Sequence, residues 1–156
     1  MPVFAAGQWL TAQLLNNQFQ SLQAHSPLDS GTVTNSSFTQ TRSGATSPVG
    51  KAFVAPTSGI VRVSWHAACR NSLNFSLVSF GIRTGGTVGT GADYLIASDD
   101  LSLQWDTNAN DRHWGMSHPV GGLTPGATYN AVLWFRVGGG STATISRCSI
   151  DITPET

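Results

Sequence analysis

The chain has 156 residues, of which 40% are hydrophobic and only 10% are charged, and its 8 basic residues balance its 8 acidic ones. A single lysine and scattered arginines form no basic run, so no nucleic-acid partner is expected. No apolar stretch approaches the ~20 residues of a membrane span, and the N-terminus lacks a signal-peptide pattern. So few charges suit a protein that is packed into an assembly, and a small low-charge β-domain is the alternative.

Residues 5–25 are the one stretch of the chain with a helical pattern. Thr11 is placed to act as N-cap, and Leu10 and Leu15 have the spacing of a hydrophobic staple. The residue before Pro27 avoids the α region, so the helix is predicted to end there at the latest. A helix of about a dozen residues is marginal alone in water and must dock, either on its own domain or on a neighbouring subunit.

Residues 26–35 are polar and contain Pro and Gly, which predicts a linker. The linker divides the chain into an N-terminal helical arm, residues 1–35, and a β-sandwich domain, residues 36–156. Leu15, Phe19 and Leu22 follow one another at i, i+4 and i+7, which places their side chains on one face of the predicted helix. The predicted docking residues of the arm are Trp9, Leu10, Leu15, Phe19 and Leu22.

The rest of the chain reads as strand and turn. Alternating apolar residues and turn signals every 8–12 residues or so predict an all-β protein, an antiparallel β-sandwich or jelly roll of about eight strands. A glycine-rich loop is predicted at 84–92. The predicted strands are 38–42 (weak), 51–55, 60–68, 73–82, 94–98, 101–105, 112–118, 128–137 and 143–152.

Three details of this pattern carry predictions of their own. The apolar phase switches after Leu77, which is typical of a β-bulge. The strands 128–137 and 143–152 are separated by a short Gly-rich turn and are predicted to pair as a hairpin. Val132 and Trp134 place apolar groups on the second face of their strand, so they are candidates for an oligomer interface, unless a loop or the helix covers them.

No pattern of catalytic residues is present, and the chain is not expected to be an enzyme or to hold a cofactor. His113 and His118 are five apart and should fall on opposite faces of a strand, which disfavours a shared metal. The turn that begins at Asp106 lacks the glycine and glutamate of a calcium loop. Cys69 and Cys148 are expected to be buried free thiols.

Aromatic side chains offer one functional alternative. Trp105 and Trp114, if exposed, are candidate glycan contacts, since an aromatic ring can stack on a sugar. The competing interpretation for each tryptophan is an ordinary place in the core.

Three segments resemble a known group of proteins. Residues 6–16, AGQWLTAQLLN, resemble the opening of many virion structural proteins of tailed phages that infect actinobacteria. Residues 53–63, FVAPTSGIVRV, and 123–129, LTPGATY, together with the last two strands, are similar to β-sandwich modules of such proteins, which often look like trimeric jelly rolls of the tumour-necrosis-factor type.

The resemblance implies a virion protein, made in the host cytoplasm and displayed on the particle as a head decoration or a minor tail or fibre component. It implies self-association, as a homotrimer, and docking on other virion proteins such as the major capsid or tail proteins. It implies no catalytic residues. The alternative from another class is a module that binds a glycan or a receptor on the host surface.

Overall fold

A computed structural model describes residues 22–155 of the chain, and in this range nine strands form two antiparallel sheets. The strands are β1 (Leu22–Val33), β2 (Gly50–Val54), β3 (Val61–Asn71), β4 (Ser76–Thr84), β5 (Asp93–Leu95), β6 (Leu103–Trp105), β7 (Asn108–Val120), β8 (Thr128–Val137) and β9 (Ala143–Pro154), with a 3₁₀ turn at Asp99–Leu101.

Sheet A has the strand order β1-β9-β3-β7, and sheet B has the order β2-β8-β4, with β5 and β6 both pairing with the far edge of β4. The sheets pack face to face as a jelly-roll sandwich, which confirms the predicted fold class. Alternate residues of each strand fill the space between them. Trp65 of β3 meets Phe80 of β4 there, with ring centres 4.6 Å apart, and Trp65 Nε1–H donates to Val78 O.

The predicted hairpin of the last two strands is wrong. β8 lies inside sheet B, where β2 pairs with one of its edges and β4 with the other. No edge of β8 remains for β9, which instead crosses to sheet A and pairs with β1 and β3. The turn at 138–142 therefore connects the two layers of the sandwich.

The predicted bulge after Leu77 is also wrong. β4 pairs with β8 without a register shift from Ser76 to Thr84. Both faces of β4 are buried, so apolar residues occur in both phases of the alternation. The weak strand predicted at 38–42 is reduced to one bridge, between Thr39 and Phe135.

The linker predicted at 26–35 is corrected as well, because residues 22–33 form β1 along the edge of β9. Leu22, assigned to the helix face, pairs with Ile152 and packs against the core together with Ala24. Without this strand one edge of β9 would lack hydrogen-bond partners. Pairing with β9 therefore outweighs the local preference of these residues for a turn. The other predicted docking residues, Trp9, Leu10, Leu15 and Phe19, lie outside the described residues.

A buried arginine ties β1 to the segment that follows it. The Arg42 guanidinium donates to Ile145 O and to Thr46 O, both at 3.0 Å, and lies 5.3 Å from the ring centre of Phe135. Asp29 of β1 stands 3.9 Å from the same guanidinium. This charge is retained in the interior because carbonyl groups and a carboxylate surround it.

The outer face of sheet B is closed by the chain's own loops. Asn130 of β8, fully buried on that face, donates to Gly85 O at 3.0 Å and to Thr90 O at 3.1 Å, and accepts from Gly89 N–H at 3.0 Å. These three bonds hold the 85–92 loop onto the sheet. Beside it, Ser79 donates to Leu101 O at 2.9 Å and fixes the 3₁₀ turn.

Replacing Asn130 tests this closure. Asn130→Ala removes three hydrogen bonds between the buried Asn130 side chain and the loop backbone, so we expect the free energy of unfolding to fall by about 3 kcal/mol. The exposed Asn35 provides the matched control, and Asn35→Ala should change stability by less than about 0.5 kcal/mol. Urea denaturation followed by circular dichroism measures both. Equal stability of the two variants would show that Asn130 does not hold the loop.

Cys69 and Cys148 are free and buried in the structure. Burial raises the pKa of the Cys69 thiol from 9.0 to about 11, an effect that the hydrogen bond with Ser76 partly offsets. Burial likewise raises the pKa of Cys148 to about 11, with a smaller opposing effect from Arg42. The folded chain therefore keeps both thiols protonated where the unfolded chain ionises.

The thiols contribute a pH dependence with a defined sign. Because the folded pKa values are raised, this stabilisation is complete below about pH 9 and is lost as the pH rises toward 11. We expect the free energy of unfolding to fall across this window, and to fall less in the double variant Cys69→Ala/Cys148→Ala. Urea titrations at several pH values measure the difference, and parallel curves for the two proteins would contradict the expectation.

Candidate binding and assembly surfaces

The outer face of sheet B does not offer the predicted oligomer interface. Val132 is 0% exposed in the single chain, so the alternative that the chain itself covers it is the one observed. Trp134 is partly buried, and the Arg83 guanidinium lies 5.2 Å from its ring centre. Arg83 itself donates to Gly89 O at 3.0 Å and pairs with Asp93. The Arg83 side chain, held by the loop, thus lies over the Trp134 ring.

The two tryptophans predicted as glycan contacts have different environments. Trp105 is 2% exposed, belongs to the core, and donates through Nε1–H to Arg112 O at 2.9 Å. It cannot contact a glycan, and the core alternative is correct for it. Trp114 of β7 is 52% exposed and remains available.

Sequence reasoning missed an exposed apolar edge of the sandwich. β7 is an edge strand of sheet A, and Trp114 and Met116 point to its inner side, opposite Ala67 and Trp65. Sheet B ends in short strands here, so nothing among the described residues covers these side chains fully. We call the exposed apolar residues on this side of the sandwich the open edge: Tyr94 (39% exposed), Ile96 (69%), Trp114 (52%) and Met116 (39%).

The open edge is held at both ends. Tyr94 Oη donates to Gly121 O at 2.8 Å just beyond β7, and the Trp105–Arg112 bond joins β6 to the other half of β7. Between these ties, β7 has a free backbone edge and adjacent apolar side chains. Such an edge readily pairs with or packs against another chain.

The outer face of sheet A is polar and open. β3 and its neighbours place outward side chains in rows across the sheet: Gln23, Asp151, Ser64 and Ser117 share one row, and Ser149, His66 and Gly115 share the next. They line a groove of about 500 Å³, called here the polar groove. The alternation of Ser64 and His66 with buried Val63 and Trp65 is visible in the sequence, but the partners that complete the rows are not.

A β-bulge brings an arginine to this face. Ala67 of β3 stands opposite two residues of β9, and one of them, Arg147, has φ +50. This left-handed backbone costs an unbranched side chain on the order of 1 kcal/mol. Arg147 O accepts from His66 Nδ1 at 3.1 Å, and Arg147 Nη1 donates to His113 Nε2 at 2.8 Å. The rings of His66 and His113 stack with centres 5.7 Å apart.

The histidines otherwise follow the predicted geometry. The register places His113 opposite Ala68 on the outer face and His118 opposite Val63 on the inner face. Within residues 22–155, no three His, Cys, Asp or Glu side chains come together as a metal site. In the same range no helix is long and apolar enough to cross a membrane.

The fold has counterparts among known protein structures, although the sequence does not match a known family. No protein-family model matches the chain, and no curated protein matches its sequence. A structure of infectious bursal disease virus, Gt strain, matches 88% of this chain and 33% of that chain, with a TM-score of 0.56 and 10% identity. The VP2 protein of the same virus, in T=1 particles, matches 87% of this chain and 32% of its own, with a TM-score of 0.52 and 10% identity.

The chain thus spans about a third of the length of these viral proteins. At 10% identity the likeness shows the fold alone, the two-sheet sandwich described above. The chain therefore has a jelly-roll fold, and the comparison identifies no particular protein.

The contrast between two tryptophans is a direct test of these assignments. Trp105→Ala should lower the free energy of unfolding by about 4 kcal/mol, because it empties a core site and removes the hydrogen bond to Arg112 O. Trp114→Ala should cost less than about 1 kcal/mol in the isolated chain. Urea denaturation of both variants at low protein concentration gives the comparison. A large loss for Trp114→Ala alone would reverse the assignment of core and surface.

Proposed function

We propose that the chain is a non-enzymatic structural protein of a bacteriophage virion, displayed on the particle as a capsid decoration or a minor tail or fibre component. The observation that carries the proposal is the open edge. Four large apolar side chains are exposed together on a protein with no net charge, a surface that has little protection against association. The resemblance of residues 6–16 to phage virion proteins and the viral jelly-roll architecture support it.

Self-association is assigned to the open edge rather than to Val132 and Trp134. A homotrimer in which each open edge packs on a neighbouring copy would cover the exposed rings and the free edge of β7. A closed ring uses the same contact three times and leaves no open edge at its ends. Loops cover the outer face of sheet B, which therefore faces solvent in such an assembly.

Docking on the particle is assigned to the apolar residues of the N-terminal segment, Trp9, Leu10, Leu15 and Phe19. Since β1 begins at Leu22 and belongs to the sandwich, the test must leave residues from 22 onward intact. Point variants in the full chain meet this need better than a deletion.

The full-length variant Leu15→Asp/Phe19→Asp should keep the unfolding transition of the wild type but reduce incorporation into particles at least ~10-fold. The physical reason is that a carboxylate cannot be buried unpaired in an apolar contact. Gln13→Asp/Gln20→Asp adds the same charge at polar positions and is the control. Quantitative mass spectrometry of purified particles measures the copy number.

Two results would contradict the proposal in different ways. Wild-type chain missing from purified particles would reject the virion role altogether. Full incorporation of the Leu15→Asp/Phe19→Asp variant would reject the docking segment and leave the virion role in place.

Binding to a host glycan or receptor is the second candidate function. One observation favours it, the polar groove on the outer face of sheet A, which the described part of the chain leaves open. The groove replaces Trp105 as the candidate contact, since that ring is buried.

A further inference from the structure

We propose that the polar groove on the outer face of sheet A is a binding site for a saccharide chain. The site gives the second candidate function a location, and it is independent of the virion role. All four strands of sheet A contribute to the groove, so its shape is fixed by the strand register rather than by a loop. Its polar lining residues are Gln23, Ser64, His66, Ser117, Ser149 and Asp151.

The chemistry of this lining favours a ligand rich in hydroxyl groups. Asp151 presents carboxylate oxygens that only accept, the serines both donate and accept, and Gln23 does both from separate atoms. A ligand that satisfies them must itself offer donors and acceptors at short intervals, as adjacent sugar hydroxyls do. Gln23 Nε2 already donates to Asp151 Oδ2 at 3.4 Å, a long bond that a ligand hydroxyl would compete with easily.

His66 has a defined role in this site. Its Nδ1 must carry a proton, because it faces the carbonyl oxygen of Arg147. The neutral ring therefore accepts at Nε2, and the backbone bond fixes its orientation. His113 stacks against this ring and receives an N–H of Arg147, so a guanidinium stands beside the groove. A carboxylate-bearing sugar would find a counter-charge there, and a neutral sugar would use the hydroxyl partners alone.

Gly115 accounts for the open space beside His66. A Cβ added at this position would meet only ordinary contacts, 3.4 Å from Trp65 O and 3.7 Å from His66 Cβ, and Gly115 has no left-handed backbone. A larger side chain would therefore fit the strand but project into the groove. The backbone therefore does not require glycine at this position, and the absence of a side chain leaves the space above the sheet open.

A second copy of the chain is the competing occupant, and the polarity of the groove argues against it. The centres of protein interfaces are apolar and poor in Ser and Asp. Four of the exposed large apolar side chains among the described residues form the open edge, and the groove offers them few apolar partners.

The test uses the full chain and an array of oligosaccharides with neutral and uronic-acid members, followed by NMR titration with the sugar that binds best. Wild type is expected to bind at least one member. Gly115→Val fills the groove and Asp151→Ala removes its carboxylate, and each should weaken binding at least ~10-fold. Gly139→Val, at a position with open space around it in a distant turn, is the control and should bind as wild type does.

Each outcome decides the proposal. No binding by wild type to any member at millimolar sugar, or binding that Gly115→Val and Asp151→Ala both leave unchanged, overturns it. If Gly115→Val instead changes the mass in solution and leaves sugar binding intact, the groove is a contact between copies and the proposal fails. If Gly115→Val and Asp151→Ala lose sugar binding, the saccharide site is supported, whether or not the chain is found in virus particles.

Discussion

The structure depends on the burial of sheet B from both sides. β4 and β8 carry apolar or small residues on both faces, and an ordinary two-sheet sandwich would leave one of those faces in water. The chain solves this with polar anchors on the outer face. Asn130 satisfies the backbone of the 85–92 loop, and Arg136 pairs with Asp99 at 2.6 Å beside the 3₁₀ turn. The loop lies over the outer face, and the side chain of Asn130 binds its backbone through three hydrogen bonds.

This closure determines which surfaces remain for partners. With sheet B covered, two surfaces remain open among residues 22–155: the outer face of sheet A and the side of the sandwich where sheet B ends in short strands. The two surfaces differ in chemistry. The open edge is apolar and suits another protein surface, whereas the polar groove, with Asp151 and His66, suits a ligand that forms hydrogen bonds. A chain of this kind can assemble through one surface and bind a ligand through another.

The sequence predicts those features of the fold that depend on the alternation of apolar and polar residues along a strand. β3 and β8 follow from the period of their side chains, and the fold class follows from the number of such segments and the turns between them. The sheet to which a strand belongs is a long-range property, which is why the hairpin of β8 and β9 was wrong. The same holds for residues 22–33: their Pro, Gly and Ser suggest a linker, but they form a strand because the edge of β9 accepts one.

The candidate site was predictable only in part. The sequence places the apolar Val132 on the second face of its strand. It does not show that the 85–92 loop folds onto this face, because Asn130, which binds the loop, lies more than 30 residues further along the chain than the loop itself. Trp105 and Trp114 look alike in sequence, and only the register of β7 and the position of β6 separate the buried ring from the exposed one. The polar groove combines residues from four strands, so no single segment reveals it.

The central claim is that the open edge, and not the loop-covered face of sheet B, brings copies of this chain together. Multi-angle light scattering at micromolar concentration tests it most directly. The wild type should have three times the 16.4 kDa mass of one chain, and Met116→Glu, which places a charge in the apolar contact, should have the mass of a single chain. A wild type that remains a single chain, or a Met116→Glu variant that stays a trimer, would contradict the claim.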